Sequence, residues 1–140
     1  MIDRSVAMDN QGQAEDSPLL VMRSGNGTEL ILLRWSLNTL PDTPSLIQTA
    51  SLVLSVSNMK TPYSFKLQLR ALTESRPYFP ETTWTHYDGI LPWSRGNLGT
   101  SAAAESITAV AEVKTTMTEV RINITQLIKD WIAGTKINHG

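Results

Sequence analysis

The sequence predicts an all-β protein, an antiparallel β-sandwich of about eight strands with one short helix near the C-terminus. Three observations carry this. Four segments alternate apolar and polar residues with the period of two that gives a strand one buried and one wet face. Helical periodicity is confined to the stretch after Thr125, and the long intervening segments carry the Pro and Gly residues that interrupt regular structure.

Taken in order, Leu30-Ile-Leu-Leu-Arg-Trp35 is apolar on both faces, which places it in the middle of a doubly covered sheet or near a sandwich rim. Leu19-Leu-Val-Met22 is its expected hairpin partner across Ser24-Gly-Asn-Gly27. Pro41 and Pro44 rule out a central strand between Leu37 and Ile47 and suggest a crossing between sheets. Ser51–Ser57 turns Leu52, Leu54 and Val56 inward, and Ser64–Leu72 does the same with Phe65, Leu67, Leu69 and Ala71. Residues 73–104 form a long irregular region rich in Pro, Gly and aromatic side chains. Ile107–Val113 and Glu119–Ile124 are the remaining alternating strands. Thr125 is the expected N-cap of the helix, Leu127, Ile128, Trp131 and Ile132 share its apolar face, and Gly134 suits the position just past its end.

A chain of 140 residues is long enough to bury one core, so residues 1–140 are expected to form a single domain. With no cysteine it has no disulfide framework, thiolate metal site or cysteine nucleophile. A formal charge of −1, with both signs spread along the chain, offers no footprint for nucleic acid or an anionic membrane, and neither is an expected partner. Met1–Asn10 contains no long apolar run, which predicts neither a signal peptide nor a transmembrane helix. Asn26 and Asn123 open Asn-X-Ser/Thr matches at a frequency expected by chance.

The residues needed for common chemistries are sparse. A hydrolase triad has only His86 and His139 to draw on and no Gly-X-Ser-X-Gly elbow. His86 beside Asp88 could be a base and its orienter, but neighbours at that spacing in a turn more often share a local hydrogen bond. Glu74, Glu81, Asp88 and Glu105 read as solvated loop charges rather than paired glycosidase carboxylates. No phosphate-binding glycine loop or His-rich metal motif occurs, so no cofactor is expected. Asp3, Asp9, Asn10, Asp16 and Asp42 could supply oxygens to a structural calcium, although Asx residues are also ordinary turn formers.

The aromatic region supplies the candidate contact residues. Tyr78, Tyr87 and Trp93, with His86 beside them, could stack on sugar rings or enter a protein partner, because aromatic rings bury much area at little entropic cost. Trp84 reads as core, Tyr87 and Trp93 read equally as core or contact surface, and Trp131 belongs to the core face of the helix.

The succession Ile31-Leu-Leu-Arg-Trp-Ser-Leu-Asn-Thr-Leu-Pro41, Ile47-Gln-Thr-Ala-Ser-Leu-Val-Leu-Ser-Val56, Glu81-Thr-Thr-Trp84 with Pro92-Trp93 and Gly96, and the Ile-Thr-X-Leu-Ile-X-X-Trp-Ile-X-Gly…Asn-X-Gly ending resembles the DNRLRE-type β-sandwich modules. The resemblance implies a non-catalytic jelly roll similar to carbohydrate-binding modules, of a kind found on secreted enzymes, surface proteins and phage structural proteins. Its motifs are structural, so no ligand residue carries over. In the family the Asn-X-Gly turn leads into a final apolar strand, whereas here the sequence ends at Gly140. An open sheet edge is therefore expected near Ile2–Met8, unless the N-terminal segment itself covers it.

Two functions follow as expectations. The first is a bacteriophage virion component, a capsid decoration or tail-associated protein acting through contacts with other subunits, as a homo-oligomer or in a larger assembly. The second is a carbohydrate-binding module of a secreted or cell-surface protein, with Tyr78, Tyr87 or Trp93 as its polysaccharide platform. The fold class does not choose between them.

Overall fold

The computed structural model describes residues 2–7, 14–15, 29–34, 36–56, 64–72, 83–87 and 90–139. Strand is the commonest regular structure among them, all strand pairings are antiparallel, and two α-helices and one 3-10 turn accompany them. The chain divides into two compact units, each assembled from separated segments. One comprises Met1–Ser36, Leu72–Glu105 and Asn138–Gly140, and the other Leu37–Ala71 and Ser106–Ile137.

The first unit contains β1 (Ile2–Ala7), β2 (Ala14–Glu15) and β3 (Glu29–Arg34), in the sheet order β2-β1-β3. β1 pairs with β3 along its whole length, from Ile2 opposite Arg34 to Ala7 opposite Glu29. On its other flank Ser5 and Val6 pair with Glu15 and Ala14 of β2. The expectation of an open edge at the N-terminal strand is thereby corrected at Ser5 and Val6, because a nearby segment of the same chain supplies the partner. The anticipated hairpin strand Leu19–Met22 lies outside the described residues, and the partner that is described for β3 is β1.

β3 sends Leu32 into a buried cluster with Leu72, Trp84, Tyr87, Trp93 and Leu98, and the half-buried Leu30 packs against it. Burying side chains of this size contributes about 1.5–3 kcal/mol each, which ties Trp84, Tyr87, Trp93 and Leu98 to the sheet. Leu98–Ala104 forms a helix, α1, inside the region expected to be irregular throughout. The correction has a local cause. Asn97 caps the helix, its Oδ1 accepting from the Thr100 amide at 2.9 Å, the Ala-rich tract carries no side chain that opposes helix, and fully buried Leu98 anchors it.

The second unit contains β4 (Ser51–Ser55), β5 (Phe65–Arg70), β6 (Ile107–Val113) and β7 (Glu119–Asn123), as two-stranded pairs β4-β7 and β5-β6. In β4-β7 the inward residues oppose one another, Leu52 facing Ile122 and Leu54 facing Val120. Outward Arg121 holds Glu119 at 2.6 Å. In β5-β6 Gln68 opposes Val110 and Leu69 opposes Ala109, but Arg70 opposes Ile107, so Thr108 is an extra residue. This bulge breaks the alternation expected across Ile107–Val113. Ala109, Ala111 and Val113 keep the covered face, whereas Ile107 is exposed. β6 passes to β7 through a turn in which the Met117 amide donates to the Lys114 carbonyl at 3.0 Å.

The predicted C-terminal helix is present as α2 (Thr125–Ile132), with Leu127, Ile128 and Trp131 buried. Its start differs from expectation. Ile124 occupies the cap position, and Thr125 is the first helical residue, its amide donating to Asn123 Oδ1 at 2.9 Å. The Thr125 hydroxyl has instead a long-range role, accepting from the Ala50 amide at 2.9 Å just before β4. The Ile124 amide donates to the Ala50 carbonyl at 3.0 Å, so both backbone groups of Ala50 are occupied by the strand-to-helix junction. At the other end Gly134 has φ +69, its amide donates to the Trp131 carbonyl, and the Thr135 amide donates to the Asp130 carbonyl. This paired closure satisfies carbonyls that the last turn would leave open, and it needs the left-handed conformation that glycine adopts without cost.

Between β3 and β4, Pro44–Leu46 forms a 3-10 turn that contacts α2 within the second unit. The two prolines do connect strands of different sheets, as expected.

Candidate functional site

Residues 83–87 and 90–93 are held by a dense set of local hydrogen bonds. The Thr83 amide donates to the His86 carbonyl at 2.8 Å, and the His86 amide donates to Thr83 Oγ1 at 3.1 Å. The Tyr87 amide reaches the Leu91 carbonyl at 3.0 Å, and the Trp93 amide reaches the Thr85 carbonyl at 3.3 Å, which brings His86 opposite Pro92. The return of the chain puts the Trp93 ring under its own entry segment, where Nε1–H donates to the Thr83 carbonyl at 3.0 Å. The Leu98 amide then closes on the Trp84 carbonyl at 2.8 Å, joining the loop to the start of α1. Alternation could not disclose this arrangement, because each bond joins residues that are irregular in sequence.

The consequence for the aromatic candidates is clear. Trp84 is 7% exposed, as its reading as core required. Tyr87 is 6% and Trp93 2% exposed, and their rings meet edge to face at 6.1 Å with an interplanar angle of 65°. Such a pair contributes about 0.5–1.5 kcal/mol beyond its area. Of the two readings left open for Tyr87 and Trp93, the structure corrects the exposed platform to core, since neither ring has a free face on which a sugar could stack. Tyr78 lies outside the described residues.

His86 is half-buried, and its Nδ1 lies 2.8 Å from Thr85 Oγ1. A hydroxyl neighbour of this kind can fix a tautomer and ring orientation. Asp88, the proposed orienter, lies outside the described residues. The structure therefore brings His86, Tyr87 and Trp93 into one loop while giving them different roles, with two rings inside and one imidazole at its margin.

Among the described residues of the loop, Thr85, Ile90 and Leu91 are exposed. Ile90 is 81% exposed and Leu91 40%, just before Pro92. Two adjacent apolar residues have no periodicity, so this pair carries no strand or helix signal. The available signal was their position, an apolar couple between Gly89 and Pro92 where turns are ordinarily polar.

Among the described residues no group of three or more His, Asp or Glu side chains could hold a metal ion. Of the candidate calcium ligands, exposed Asp42 accepts from the Thr43 hydroxyl at 3.2 Å in turn fashion, Asp3 lies in β1, and Asp9, Asn10 and Asp16 fall outside the described residues. No helix among the described residues is long and apolar enough to cross a membrane.

Among the described residues, Asp130 on α2 stands in a hydrogen-bonded and charged cluster. Gln126 Nε2 donates to Asp130 Oδ1 at 2.8 Å one turn earlier, and Lys136 Nζ lies 3.2 Å from Oδ2. First the Gln126 hydrogen bond and then Lys136 hold this carboxyl below its ordinary value. The cluster secures the end of α2. No family model matches this chain, and searches of curated proteins and of solved structures likewise find no match.

Proposed function

We propose that this chain is a non-catalytic structural and interaction protein, a bacteriophage virion component of the capsid-decoration or tail-associated kind, working by contact with other subunits as a homo-oligomer or in a larger assembly. The observation that carries the reading is the division of side chains in the Thr83–Trp93 loop. Among the described residues of this loop, Trp84, Tyr87 and Trp93 are built into the core, and the hydrophobic side chains left outside are those of Ile90 and Leu91. Aliphatic groups lack the π face on which a sugar ring stacks, whereas an exposed apolar pair on a backbone held by its own hydrogen bonds suits burial against another protein.

The motif succession from Ile31 to Gly140 supports a DNRLRE-like jelly roll as the scaffold, and the antiparallel, strand-rich architecture is compatible with it. In this reading the chain needs no metal or cofactor, because its work is done by contact area rather than by chemistry.

Sedimentation velocity across a concentration series, together with fractionation of purified particles, tests the proposal. Self-association or particle association is expected, and Ile90→Asp should weaken it at least tenfold, the equivalent of about 1.4 kcal/mol for losing one buried apolar contact. A chain that stays monomeric, is absent from the particle fraction and changes its tryptophan fluorescence on titration with polysaccharide would overturn the proposal in favour of carbohydrate binding.

A further inference from the structure

No further inference is drawn: the strongest candidate, the outward face of the β5-β6 sheet where Ile107 and Val110 stand exposed opposite Arg70 and Gln68, is an unpartnered apolar patch, and nothing in the structure shows what covers it.

Discussion

Gly99→Ala sets two effects of similar size against each other, and the geometry decides the sign. Within a helix, alanine is favoured over glycine by about 1 kcal/mol, so propensity alone predicts stabilisation of α1. A Cβ at position 99, however, would lie 2.7 Å from Trp84 Cζ2 and 2.9 Å from Cη2. Carbon atoms prefer a separation of about 3.5–4.0 Å, so either the ring or the helix must move by nearly 1 Å. Neither is free to do so. The Trp84 ring is buried in the core cluster, and its backbone carbonyl accepts from the Leu98 amide, which fixes the helix beside it. Overpacking of this kind costs about 1–3 kcal/mol, leaving a net loss of about 1 kcal/mol after the propensity gain. In a domain of this size that corresponds to a fall in Tm of about 3–5 °C, and to a lower urea midpoint at unchanged m-value. The decisive assay is a double-mutant cycle with Trp84→Phe, whose shorter ring ends before the clashing atoms. Gly99→Ala should cost less, or become stabilising, in that background. A Tm raised by Gly99→Ala alone, or a cost identical in both backgrounds, would refute the steric reasoning.

Trp93→Phe removes the hydrogen bond to the Thr83 carbonyl and part of a ring that is almost fully enclosed, and thermal or urea unfolding should register a loss of about 2–3 kcal/mol. Thr125→Val keeps the shape of the side chain but leaves the Ala50 amide without its acceptor. A loss of about 1–2 kcal/mol is expected in urea unfolding, and Thr125→Ser should restore most of it. Asp130 has a folded-state pKa below its unfolded value of about 3.9, so its contribution to stability is fully present above that value and is lost as pH falls through the lower folded pKa. Asp130→Asn should therefore flatten the acid limb of the stability-against-pH curve, and an unchanged limb would show that the Gln126 and Lys136 contacts do not favour the carboxylate in solution.

The parts of the fold legible in the sequence are those whose signal is local. Leu52, Leu54, Val120 and Ile122 alternate with polar residues, and a period of two needs only a sheet with one covered face to be realised. Leu127, Ile128 and Trp131 share a face through the 3.6-residue turn, and Gly134 ends the helix because the required left-handed φ is a property of its own backbone. The errors occur where a local rule had a competitor. Thr125 is a good cap by composition, yet its hydroxyl serves Ala50, seventy-five residues earlier in the chain, and Asn123 takes the neighbouring amide instead. Helix α1 was hidden by Gly99, whose presence lowers helix propensity but is required by the close approach of Trp84.

The candidate site divides in the same way. The sequence by itself determined that the strands pair antiparallel, where one helix lies, and that the loop after residue 73 is rich in aromatic residues, because composition and periodicity act over a few neighbouring residues. Only the tertiary structure decided that Tyr87 and Trp93 turn inward, that Ile90 and Leu91 turn outward, and that the bulge at Thr108 exposes Ile107. Which way a loop side chain points depends on hydrogen bonds and cavities furnished by distant segments, and no residue carries that information alone.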